Sequence, residues 1–295
     1  MIKKLIKKLG KNILKLIIKI LYLTFRKKFL FLTYSILNER YEDIIINKKI
    51  IKFFSPNEVI SWRIKTFFYK EPETLEFINK FNKKKITFWD IGSNIGLYAI
   101  YAATIHKNIE VISFEPSINN IRVLARNISV NNLQDKIKII TQPLSEKKNK
   151  FALMNEVSKI EGEALNSFDK KMNHEGKKIN SIMNYSILGT NIDYLIENKI
   201  LDIPDYIKID VDGLEHIILK GAKKLLKNKK LRKISIELNE NFKEQYQTVN
   251  KIMKKNGFKL LYNSKVNPIL YPDKNKIVKN KIKKLEQTYN FHFSR

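Results

Sequence analysis

Phe88-Trp89-Asp90-Ile91-Gly92-Ser93-Asn94-Ile95-Gly96-Leu97-Tyr98 decides the fold. The stretch reads as an apolar strand that turns through two glycines and enters a helix. Glycines at such a turn let backbone approach a ligand closely, and the first turn of the helix leaves amide donors free. The Lys-Ser/Thr pair of a phosphate-binding loop is absent. Asn94 stands where a dinucleotide turn needs its second glycine, so a pyrophosphate is excluded as well.

Working outward, short β-branched runs alternate with helical periods. Strands are predicted at Ile86 to Ile91, Glu110 to Glu115, Ile137 to Thr141, Tyr206 to Val211 and Lys233 to Leu238. Helices are predicted at Leu97 to His106, Ser117 to Asn131, Gly213 to Lys227 and from Glu240 to Asn256, followed by a strand at Phe258 to Tyr262. This is an α/β pattern, Rossmann-like, with a mostly parallel sheet and helices on both faces. The second strand ends Phe114-Glu115-Pro116, placing a carboxylate beside the glycine turn in a right-handed unit, where it can accept from both hydroxyls of a ribose. A nucleoside held without a diphosphate is therefore the expected ligand, and S-adenosylmethionine meets that description. The expected cofactor set is Asp90, Gly92, Ser93, Asn94, Gly96, Glu115 and Pro116.

A second acidic motif, Asp210-Val211-Asp212-Gly213, closes the fourth predicted strand, and ligands bind at the carboxyl ends of such strands. Asp210, Asp212 and His216 are the catalytic candidates, with carboxylates to orient or deprotonate an acceptor hydroxyl and a histidine as general base. Asp212 and Glu215 also read as a capping box for the following helix. Lys208, Glu237 and Asn239 are secondary candidates. A competing reading takes Asp210-Val211-Asp212 as the Asp-x-Asp of a metal-dependent glycosyltransferase, but it leaves the Gly92 turn and Glu115 unexplained. No residues are assigned to a metal ion.

Residues 86 to 240 resemble the FkbM-type family of S-adenosylmethionine-dependent methyltransferases. The resemblance is carried by Trp89 to Gly96, Phe114-Glu115-Pro116, Asn127, Asn131 and Ile207-Lys208-Ile209-Asp210-Val211-Asp212-Gly213. The family usually has Glu before that last Gly, so Asp212 shortens the reach by one methylene. The resemblance implies a class I methyltransferase fold, usually of seven strands, and O-methylation of a hydroxyl on a sugar, glycan or natural-product acceptor.

The chain has 295 residues and a net charge of +28. Only seven basic residues are Arg and fifty are Lys, which argues against specific nucleic-acid reading, since Arg is the side chain that grips phosphate and guanine edges bidentately. An RNA methyltransferase is the alternative acceptor class. With no Cys, disulfides and thiol nucleophiles are excluded. Residues 1 to 37 interleave leucines with lysines and read as a basic amphipathic segment lying on an anionic membrane surface, because no window reaches the roughly 18 uncharged residues that a span needs. The expected layout is a helical region over residues 1–80, a methyltransferase domain over 81–265 and a Lys-rich tail over 266–295. Residues 144–204 form an insertion that bears selectivity. The expected location is cytoplasmic, peripheral on the inner membrane face.

Overall fold

The computed structural model describes residues 2–265 and 288–295. The chain opens with helix α1 (Ile2–Asn38), a Lys- and Leu-rich run without proline. A hairpin follows, β1 (Tyr41–Ile46) and β2 (Lys49–Phe54), paired antiparallel from Tyr41↔Phe54 to Ile46↔Lys49. Its two-residue turn puts Asn47 and Lys48 at φ of 49° and 63°, the left-handed geometry that matches strand twist. This corrects the expectation of an all-helical region over residues 1–80. Ile44, Ile46, Ile51 and Phe53 pack on the domain or against its core, and that burial favours strand over helix.

Helices α2 (Glu58–Lys70) and α3 (Pro72–Asn79) lead into the central sheet. Then come β3 (Ile86–Ile91), α4 (Leu97–Ile105), β4 (Ile109–Phe114), α5 (Ile118–Val130) and β5 (Ile137–Ile140). The expected insertion contains a small antiparallel sheet of β6 (Lys150–Glu156), β7 (Ser167–Phe168) and β8 (Met183–Gly189), then helix α6 (Ile192–Glu197). The chain continues through β9 (Tyr206–Ile209), α7 (Glu215–Lys220), β10 (Lys233–Asn239), α8 (Lys243–Lys255), β11 (Lys259–Lys265) and β12 (Thr288–Ser294).

The central sheet has seven strands in the order β11-β12-β10-β9-β3-β4-β5. Neighbours from β10 to β5 run parallel, while β12 runs antiparallel to both β10 and β11. The strand order reverses between β3 and β9, which opens a crevice at their carboxyl ends. Alternation divides the β3 side chains: Phe88 joins a core with α2 to α5, and Trp89 and Ile91 join a second core with α6 to α8. Each of these aromatic side chains is fully buried and contributes roughly 1.5–3 kcal/mol by leaving water.

Two further expectations are corrected. The helix expected over Gly213 to Lys227 stops at Lys220 and resumes as a short 3-10 turn at Leu225–Lys227. Gly221 lies between, where a Cβ would fall 2.3 Å from the Ser145 carbonyl oxygen, so close backbone approach interrupts the helix. Thr288–Ser294, placed by its composition in a Lys-rich tail, is an inner strand of the main sheet. Its aromatic residues Phe291 and Phe293 are buried against α8 and β10, a role visible only once the sheet exists. The remainder of that tail, residues 266–287, lies outside the described residues.

Candidate active site

Gly92 begins the turn after β3 with φ of 87°, and a Cβ there would lie 1.9 Å from the Asp210 carbonyl oxygen. Only glycine lets the turn pack against the end of β9. Asn94 is also left-handed, at φ of 50°, a conformation that asparagine tolerates better than most residues. Ser93 Oγ donates to the Asp90 carbonyl at 2.7 Å, and Gly96 N donates to the Ser93 carbonyl at 2.8 Å. The turn is therefore fixed by hydrogen bonds within itself, one from the Ser93 hydroxyl and one from backbone.

Glu115 sits beside it, buried, with one oxygen accepting from Asn94 N at 2.8 Å and the other from Ser117 N at 3.0 Å. Each oxygen keeps a second lone pair. Burial pushes this carboxyl up to about 7, against the two amide bonds that favour its charged form. Asp90, fully buried at the end of β3, has no hydrogen-bond partner on either carboxylate oxygen. Burial raises its pKa as well, with the Lys208 ammonium opposing. Pro116 contributes its carbonyl, which accepts from the Tyr185 hydroxyl at 3.3 Å.

Asn127 and Asn131 hold the turn from behind. Asn127 donates to the Ile95 carbonyl at 2.8 Å and accepts from Phe54 N at 2.7 Å, while Asn131 brackets Lys52 through both its N–H and C=O. The β1–β2 hairpin is thereby stitched to the Gly92 turn. In front, the β6–β7 loop crosses the site. The Glu163 carbonyl accepts from Asn94 at 3.1 Å and Asn120 at 3.3 Å, and Leu165 N donates to Asp212 Oδ2 at 2.7 Å.

That last bond corrects the capping-box reading. Asp212 is left-handed at φ of 57° and ties down the inserted loop, and Leu214 occupies the N-cap position of α7, without a side-chain cap. Glu215 does reach back, accepting from Val211 N at 3.0 Å and Gly213 N at 3.1 Å. His216 is buried on α7 and meets Phe242 edge-on at 5.5 Å, with Nε2 3.9 Å from Glu244 at the start of α8. Burial lowers its pKa. It faces the α7–α8 contact rather than the carboxylates, which corrects its placement in the cleft.

Asp210 is joined instead by the secondary candidates Lys208 and Glu237 and by Glu71 and Lys70, which no sequence pattern singles out. Lys208 Nζ lies 3.0 Å from Asp210 and 3.9 Å from Asp90, and 4.8 Å above the Tyr98 ring. Burial would lower its pKa, but Asp210, Asp90 and Glu71 together raise it. Glu71, from the α2–α3 junction, pairs with Lys70 at 2.7 Å. Glu237, one of the secondary candidates, has its carboxyl pushed well up by burial and by Asp210 and Glu71. Asn239 serves the β10–α8 turn, accepting from Asn241 N at 2.9 Å. Glu71 and Lys70 are far from every recognised motif, which is why sequence spacing misses them.

A seven-stranded sheet of this order, with a glycine turn after β3 and a buried acid after β4, is the class I methyltransferase fold. The chain belongs to the FkbM methyltransferase family, whose domain model, described as "Methyltransferase FkbM domain", matches residues 90–260. The family's cofactor is S-adenosylmethionine. Among solved structures, the FkbM methyltransferase of Methylobacillus flagellatus KT is 17% identical with a TM-score of 0.43, over 72% of this chain and 45% of that one. The chain thus spans less than half the length of that protein. Ribosomal protein L11 methylase of Lactobacillus delbrueckii subsp. bulgaricus is 11% identical with a TM-score of 0.44, over 77% of this chain and 79% of that one. TrmK of M. capricolum, solved with S-adenosyl-homocysteine, is 14% identical with a TM-score of 0.40, over 75% and 66%. No curated protein matches the chain.

The residues fit the cofactor. Asp90 presents a buried carboxylate with the Lys208 ammonium 3.9 Å away, suited to the ammonium of a methionine end, and Glu115 retains acceptor capacity for a ribose diol. Gly92 and Gly96 let the turn pack closely against the Asp210 backbone and the Leu124 side chain.

Proposed function

We propose that the protein transfers the methyl group of S-adenosylmethionine to a hydroxyl of a sugar or other glycan or natural-product acceptor. The observation that carries this reading is the set of carboxylates beside the Gly92 turn, Asp210 and Glu237 at the carboxyl ends of β9 and β10 and Glu71 from the α2–α3 junction. Carboxylates accept hydrogen bonds from hydroxyls and draw off their protons, whereas a polyphosphate backbone would be repelled.

Asp90 and Ser93 position the methionine end, Glu115 holds the ribose, and Gly92, Asn94, Gly96 and Pro116 shape the turn between them. The bound sulfonium supplies the reactive methyl, so the chain's own contribution is alignment of the acceptor oxygen, worth a large share of the rate. Asp210, held in place by Lys208, orients the acceptor hydroxyl and receives its proton. Asp212 keeps the β6–β7 loop over the acceptor, and His216 supports α7 behind it.

Helix α1 gives the enzyme a membrane face. Lys11, Lys15 and Lys19 form one stripe at i, i+4 spacing, and Leu9, Ile13, Leu16, Ile20 and Leu23 are exposed around it. Among the described residues no helix is long and apolar enough to cross a membrane. The helix lies on an anionic surface, inner-leaflet side, where lipid-linked saccharide acceptors are at hand.

The test is methyl transfer from tritiated S-adenosylmethionine to extracted saccharides and, separately, to total RNA. Label in a saccharide fraction, lost in Asp210→Ala with S-adenosylhomocysteine affinity retained, is the expected result. Label in RNA alone would overturn the acceptor assignment.

A further inference from the structure

Between β6 and β7, residues 157–166 cross the crevice where the strand order reverses. Two peptides of this strap make the crossing. The Glu163 carbonyl accepts from the Asn94 side chain, in the turn after β3, and Leu165 N donates to Asp212, just beyond β9, at 2.7 Å. Asn94 also donates its own backbone N–H to Glu115, so one residue links the strap to the acid proposed for the ribose.

The strap is fastened by polar bonds. None of residues 157–166 joins any of the buried cores. Its near end is tied to α2 and α5: Asn57 donates to the Glu161 carbonyl at 3.1 Å, Asn120 accepts from Gly162 N at 2.8 Å, and the Arg63 guanidinium donates to the Gly162 carbonyl. Segments held in this way open at lower free energy than the apolar cores beside them. The far end is strained as well, because Leu165 has φ of 67°, a left-handed backbone that a bulky side chain rarely adopts. Such strain persists only while surrounding contacts enforce it, and it is released when they break. Arg63 reaches beyond its one bond. Its charge acts on Asp212 and Lys70, which puts the guanidinium at the acceptor end of the crevice.

Building on the cofactor placement proposed above, we infer that residues 157–166 open to admit S-adenosylmethionine and close over it, and that Arg63 is the positioning residue that holds them closed. The strap is bonded on both sides of the crevice, so one movement encloses a cofactor at the Gly92 turn and an acceptor at Asp210 together. Closure excludes water from the methyl donor, and opening sets how fast spent cofactor leaves.

Hydrogen exchange of the full chain is followed by mass spectrometry with and without S-adenosylhomocysteine. Release of tritiated S-adenosylmethionine is timed by rapid filtration after a chase of unlabelled S-adenosylhomocysteine. In the free chain the strap amides should exchange at least about a hundredfold faster than those of β3, and bound S-adenosylhomocysteine should slow them at least about tenfold. Arg63→Ala should hasten both strap exchange and cofactor release by about fivefold or more, with β3 protection retained as the sign of an intact domain. Leu165→Asn should slow both, because asparagine tolerates the left-handed backbone of the closed strap. A residue that only braced the fold would not give paired effects of opposite sign. Strap amides as slow as those of β3, or indifferent to bound S-adenosylhomocysteine, overturn the movement, and so does equal release from wild type and Arg63→Ala. If Arg63→Ala loses β3 protection, Leu165→Asn carries the test, and unchanged release from it overturns the inference. Wild type that binds no S-adenosylhomocysteine overturns instead the cofactor placement on which the inference rests.

Discussion

Glu115 is held by backbone on both oxygens and still faces the turn, so its ionisation should be readable in cofactor binding. With its carboxyl at about 7, the ionised form, the one that the proposed ribose contact needs, fills in as pH rises from 6 to 8. S-adenosylhomocysteine affinity should climb across that interval in wild type and lose the pH dependence in Glu115→Ala, measured by calorimetry. At pH 8 the substitution should cost about 2 kcal/mol, roughly thirtyfold. The same raised pKa works against stability: it favours folding below about pH 4.5, and that contribution is lost as pH rises through 7. Gly92 offers a sharper test of the turn. An added Cβ meets the Asp210 carbonyl in a left-handed backbone, so Gly92→Ala should destabilise by about 3 kcal/mol. Calorimetry should find Tm lowered by roughly 6–12 °C. These two residues were legible from spacing, because a strand, a glycine turn and an acid after the next strand recur at fixed local offsets. Asp212 and His216 were legible as chemistry but not as geometry. Their roles depend on Leu165 and Phe242, which sequence distance hides.

The elements flanking the site act through hydrogen bonds more than through apolar area. Asn127, buried in α5, serves both the turn and β2, so Asn127→Ala leaves Ile95 C=O and Phe54 N–H without partners. A loss of about 2–4 kcal/mol in urea unfolding is expected, with Asn131→Ala, at a more exposed position, costing about 1 kcal/mol. Equal losses would mean that the stitch to the hairpin matters less than burial. The strands β3, β4, β5, β9 and β10 were legible because buried parallel strands are short apolar runs between turns. The β1–β2 hairpin was not recognised, since its Ile- and Lys-rich run continues the composition of α1. The inner strand β12 was missed because residues 259–265 and 288–294 become neighbours only by pairing.

At the scale of the molecule, α1 projects its apolar and basic surface beyond the domain, joined at Asn38 by Arg122 and Arg126 of α5. Arg126 stacks on Phe54 at 3.7 Å, so the junction is braced by the same hairpin that supports the turn. Removing residues 1–37 should abolish sedimentation with vesicles containing anionic lipid and leave S-adenosylhomocysteine affinity within about twofold. Retained vesicle binding would shift the membrane face onto the domain's other lysines.

By itself the sequence determined the alternation of strand and helix, the glycine turn and the acid after the next strand, because each is set by interactions between residues close along the chain. The tertiary structure alone decided which carboxylates meet. Glu71 joins Asp210 and Glu237 across well over a hundred residues, and Asn290 reaches Glu73 across 217. Such meetings follow from sheet order and helix packing, whose cost in chain entropy is met by two cores rather than by any local preference.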